Sequence, residues 1–119
     1  MVSAQYLLAQ VINFLASMFR PPLYNFWPDL VTCAEACMRV NNVPSIDADV
    51  AEIARQCADT CLLLCATIHR DVYLPQRLAR QCCHFCEACE HLVAQLNRPE
   101  YQQCAKACRE CALKLRAGL

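Results

Sequence analysis

Between Gln81 and Cys111 the chain sets cysteines at steps of four and three, twice over: Cys82, Cys86 and Cys89, then Cys104, Cys108 and Cys111. On a helix of 3.6 residues per turn these steps hold each trio in one narrow stripe. The stripe has the spacing with which a bundle helix meets its neighbours, so cysteine stands where leucine normally packs. Two related units lie upstream, Thr32 to Cys37 with Cys33 and Cys37, and Gln56 to Cys65 with Cys57, Cys61 and Cys65. Together with Cys83 they account for all twelve cysteines. A unit that recurs in this way predicts four helices lining one interior with thiols.

The rest of the composition agrees. A chain of 119 residues suits one domain with a modest core. The single glycine, Gly118, and the abundance of Ala, Leu, Gln, Glu and Arg favour helix. Eleven basic and eleven acidic residues give no net charge, which provides no basic face for nucleic acid. The opening MVSAQYLLAQVINFLASMFR lacks a basic n-region and a small-residue cleavage box, and Gln10, Asn13 and Ser17 interrupt it. It therefore reads as neither a secretory signal nor a stable membrane insertion, and a cytoplasmic setting is expected.

Taken in order, Ala4 to Phe19 carries an apolar helical pattern that Pro21 and Pro22 end. Tyr24, Phe26 and Trp27 are expected to cover an end of the core. Four bundle helices are predicted from about Asp29 to Val40, Ile46 to Arg70, Pro75 to Leu96, and Asn97-Arg98-Pro99-Glu100 onward to Arg116. Ser45 is the expected N-cap of the second, Asn97 with Glu100 a capping box for the fourth, and Gly118 its terminator. Short connections make successive helices antiparallel. The predicted fold is thus all-α: an antiparallel up-and-down four-helix bundle over residues 28–119, with an additional N-terminal helix and proline-bounded connection in residues 1–27.

Soft thiolates select Cu(I), zinc or iron-sulfur clusters. Cysteines four apart on a helix have β-carbons about 5–6 Å apart, a reach suited to two sulfurs bridged by an ion of low coordination number. Cu(I) accepts two or three sulfurs, while zinc wants four. Charge favours Cu(I) again: a tetrathiolate zinc site buries about two negative charges, and one Cu(I) per thiolate buries none. Neutrality then requires an ion count near the cysteine count. Cys83, Cys86 and Cys89 give C-x-x-C-x-x-C without the further cysteine and proline of a ferredoxin loop, and no zinc-finger histidine spacing is present.

From Gln56 to Arg116, with CAKACRECA the most telling segment and Cys33 to Val40 extending the match, the chain resembles the cysteine-rich four-helix-bundle copper storage proteins, a bacterial family. That resemblance implies a preformed bundle that takes up many Cu(I) ions without catalysis, usually as a homo-oligomer. It assigns inward positions to Cys33, Cys37, Cys57, Cys61, Cys65, Cys82, Cys86, Cys89, Cys104, Cys108 and Cys111. Cys83, about 100° round the helix from Cys82, fits less closely. Family members commonly carry a further cysteine where this chain has Val93 and Leu115.

The expected function is storage or buffering of multiple Cu(I) ions, supplied and drawn on by copper-donor or acceptor proteins. The alternative is a structural or chaperone-like interaction protein stapled by C-x-x-x-C disulfides, which the sets of three and Cys83 suit badly. His69 continues the stripe of Cys57, Cys61 and Cys65 and is a candidate ligand at the mouth, with a helix-end capping role as its simpler reading. Val50, Ile53, Val93, Leu96 and Tyr101 form an apolar plug opposite. His84 and His91 should face solvent, Met38 should pack in the core, and no arrangement of side chains suggests an enzyme.

Overall fold

The computed structural model describes residues 3–18, 22–67, 70 and 73–119. Five α-helices account for most of them: α1 (Ala4–Met18), α2 (Trp27–Asn41), α3 (Ala48–Ala66), α4 (Gln76–Val93) and α5 (Pro99–Gly118). α2 packs on α3 and α5, and α4 packs on the same two, so the four cysteine-bearing helices close into a ring. Their short connections give the expected up-and-down bundle with an extra N-terminal helix. α1 exposes Tyr6, Leu7, Leu8, Val11 and Ile12. No helix among the described residues is long and apolar enough to cross a membrane.

Helix ends follow local chemistry more closely than the cysteine pattern does. α2 begins at Trp27, earlier than expected, because Pro28 occupies the first turn, where an amide hydrogen has no helical partner. Asp29 at its start and Arg39 near its end complement the helix dipole. Ser45 is not the cap of α3: it takes a left-handed conformation at φ 58°. Asp47 caps instead, its carboxylate accepting from the Asp49 amide at 2.8 Å. α3 ends at Ala66, short of the expected Arg70, where Thr67 caps. Its hydroxyl donates back to the Leu64 carbonyl.

α4 stops at Val93 rather than Leu96, since the Leu96 amide turns back to the Val93 carbonyl. At the start of α5 the cap residue is Arg98, without a side-chain cap bond, and Glu100 pairs with Arg98. The capping box expected from Asn97 therefore does not form. Gly118 remains helical, and its lack of a side chain has a different cause. A β-carbon there would stand 2.6 Å from the Phe26 ring.

Two apolar ends bracket the interior. Toward the Asn42 turn, Val40, Val50, Val93 and Tyr101 are buried, with Ile53 and Leu96 half-buried against them. At the other end Leu23, Phe26, Leu30, Leu74 and Leu115 are buried. Of the aromatic residues expected to cover this end only Phe26 does so, for Tyr24 and Trp27 are exposed. Each fully buried leucine contributes about 1.5–3 kcal/mol, so the ends hold the ring together independently of what fills its middle.

Candidate metal centre

All twelve cysteines are free thiols, and all are buried. Each stripe turns inward because the opposite faces carry the charged residues, as with Glu52, Arg55 and Asp59 on α3, which pair with one another in solvent. The sulfurs consequently converge from four sides. Cys33 Sγ lies 3.8 Å from Cys57, 3.8 Å from Cys86 and 3.7 Å from Cys108. Cys57 is 3.7 Å from Cys86 and 4.0 Å from Cys108. Cys37 reaches Cys104 at 3.7 Å and Cys108 at 3.8 Å, and Cys89 reaches Cys104 at 3.7 Å.

These contacts resolve into three quartets whose sulfurs all lie within 4.8 Å of one another: Cys33, Cys57, Cys61 and Cys86; Cys33, Cys37, Cys57 and Cys108; Cys37, Cys89, Cys104 and Cys108. Consecutive quartets share two members. A straight helix supplies thiols in pairs, as expected, but the ring of helices assembles pairs into tetrahedral-sized groups. Geometry at a single quartet therefore accommodates zinc as well as Cu(I). Sharing separates the two ions. Two zinc ions with common ligands would leave fewer than four private thiolates each, while Cu(I), content with two or three bridging sulfurs, fills a shared column at neutral charge. At metal–sulfur distances of about 2.3 Å, three sulfurs around one ion stand about 4 Å apart, matching the spacing here.

The remaining four thiols extend or flank the column. Cys82 joins it through Cys61 at 3.6 Å. Cys111 is held low, first through Cys33 and then through Cys61, Cys82 and Cys86. Cys65 lies toward the Leu64 end and is pushed up to about 11, first by burial and then by the charge of Cys82 and Cys111. Cys83 stands apart, its thiol donating to Glu87 Oε1 at 3.1 Å and to the Ala112 carbonyl at 3.6 Å. Burial raises it, and the Arg116 charge opposes that rise.

Inside the column, proton sharing divides the thiols. Cys57 and Cys104 are held low, in each case foremost through the S–H···S contact with Cys108. Cys86 is driven up, first by Cys111 and then by Cys33, and Cys108 is driven up first by Cys104. A first thiolate is eased by its S–H neighbours, and its own charge then resists a second. Cations entering the array remove that resistance.

His69, the candidate ligand at the mouth, lies outside the described residues. His84 and His91 are exposed, as expected. Met38 is not in the core as predicted but is 43% exposed, because its place beside Cys37 turns it off the stripe. Glu87 and Arg116, which form an ion pair over Cys83, escaped the sequence reading. Glu87 had a visible signal, four residues after Cys83 on one face. Arg116 had none, since its approach depends on how α5 lies against α4.

No curated protein and no solved structure matches the chain. A family model does: that of Csp, the copper storage protein, over residues 29–117, which takes in all four bundle helices except the first two residues of α2 and the end of α5. With that match spanning the whole cysteine column, the chain belongs to the copper storage protein family.

Proposed function

We propose that this protein stores Cu(I) along the column formed by Cys33, Cys37, Cys57, Cys61, Cys65, Cys82, Cys86, Cys89, Cys104, Cys108 and Cys111, without catalysing a reaction. The observation that carries the reading is the sharing of sulfurs between consecutive quartets, which suits bridged, low-coordinate ions. Each ion displaces a proton, so uptake weakens as pH falls. A reducing, cytoplasmic setting suits twelve unpaired thiols. Copper-donor and acceptor proteins would charge and empty the column, and a homo-oligomer is the expected assembly.

An anaerobic titration of fully reduced protein with Cu(I) against a competing chelator tests the proposal. About ten or more ions per chain are expected, with zinc bound in far smaller number. A sharp end point at three or four Cu(I) would instead mark a defined cluster and overturn storage.

A further inference from the structure

Ions must reach a column whose two ends are closed, among the described residues, by buried Val and Leu side chains. The side of the bundle differs. On the seam between α4 and α5 a surface pocket of about 220 Å³ is lined by Arg80, Cys83, His84, Arg116 and Leu119. Cys83 is its one buried member, and the others are exposed. The thiol does not face the sulfur network: it bonds to Glu87, whose carboxylate is clasped by Arg116. It nevertheless touches the carbonyl of Ala112, next to Cys111, and follows Cys82 in the chain, so column thiols adjoin it on both helices. Arg80 has no ion-pair partner among the described residues, which leaves its positive charge available to the pocket.

We propose that Cys83 is a lateral loading thiol, receiving Cu(I) from an anionic low-molecular-weight thiolate complex that docks in this pocket, and passing it to Cys82 and Cys111. This rests on the storage reading above and adds a route to it. In the first exchange a bond forms between copper and Cys83 sulfur and one copper–donor thiolate bond breaks. The proton of Cys83 leaves by way of the Glu87 carboxylate to the departing thiolate, which becomes a thiol. Cys82 then displaces the second donor thiolate in the same way, giving up its own proton to it. Finally Cys111 displaces Cys83, whose sulfur takes the Cys111 proton and is ready for another ion. Copper remains Cu(I) throughout, and no oxidant or reductant is consumed.

The chemistry of the pocket makes two demands. Docking requires positive charge for the donor, and transfer requires sulfur at Cys83. Arg80 meets the first, because the charge of Arg116 is already engaged by Glu87. A serine at 83 would preserve the hydrogen bonds to Glu87 and Ala112 but supply no soft ligand.

Stopped-flow anaerobic loading of the full-length reduced protein tests both demands, using the Cu(I) complex of glutathione as an anionic donor and tetrakis(acetonitrile)copper(I) as a cationic one. Cys83→Ser should slow loading from the glutathione complex by about tenfold or more while final capacity falls by one ion at most. Arg80→Glu, an exposed change that leaves the core untouched, should slow loading from the glutathione complex by about tenfold and spare the acetonitrile complex. Loading of Cys83→Ser at the wild-type rate would overturn the proposal, as would an equal effect of Arg80→Glu on the two donors. Either result with wild-type capacity intact would remove the lateral route and leave storage standing. A wild-type capacity of only three or four ions would remove the storage reading itself.

Discussion

In the middle of the bundle Cys33, Cys57 and Cys86 are completely buried against one another, and at its ends Val40, Val93 and Leu30 are buried to the same degree. The two regions exclude water equally and differ in what they offer in exchange. Valine and leucine gain only by burial, and they gain it whether or not an ion is present. A thiol is a weaker hydrophobe, but its hydrogen is satisfied by neighbouring sulfurs when no ion is bound. The ends thereby hold the fold, and the middle is free to be empty or full. No buried side-chain nitrogen or oxygen among the described residues lacks a partner, so the metal-free bundle carries no polar cost that an ion must relieve.

The division of labour can be broken most directly at an end. Leu115→Ala, which empties a fully buried site beside Leu74 and Phe26, should cost about 2–5 kcal/mol in denaturant unfolding of the metal-free protein while leaving Cu(I) capacity unchanged. A capacity loss as large as that of a column cysteine variant would abolish the distinction. Cys108→Ala is the reverse case. Its sulfur touches Cys33, Cys37, Cys57 and Cys104 and belongs to two quartets, so the variant should lose about one or two ions at a stability cost near 1 kcal/mol.

A finer probe is Asp47→Ala, which removes the carboxylate that caps α3 near the Asn42 turn. About 1 kcal/mol of stability should go, read as a lower unfolding midpoint at constant slope, with copper binding unaltered. The smallest effect belongs to Cys65, where sulfur and apolar end meet. Its ordinary value of 9.0 is raised to about 11 in the fold. Between those values the unfolded chain has released the proton and the native chain retains it, so the native state binds more protons and stability declines as pH rises. Metal-free protein should therefore show this contribution intact below about pH 9 and lost by about pH 11, and Cys65→Ala should flatten that part of the curve.

The cysteine column was legible in the sequence because steps of three and four fix a face before any neighbour is known. Cys83 was legible for the same reason, as the one cysteine off its stripe. Helix ends were less so: Asp47 outcompeted Ser45 through a backbone conformation that no periodicity encodes, and α4 stopped three residues early where the chain turned. Quartets were not legible at all. They arise from the depth at which four helices register against one another, and a stripe specifies direction but not depth. Gly118 likewise looked like a terminator, when its requirement comes from Phe26, some ninety residues earlier in the chain.

Cys33 and Cys57 each belong to two quartets, and so do Cys37 and Cys108. The middle quartet has no ligand of its own, and each outer one keeps only two, Cys61 with Cys86 and Cys89 with Cys104. Capacity is consequently a divisible trait: substitution of one sulfur changes how much is held by an increment and leaves the neighbours able to regroup. Selection acting on such a chain meets a smooth slope rather than a cliff, and the length of the column can follow the metal supply of its surroundings one residue at a time.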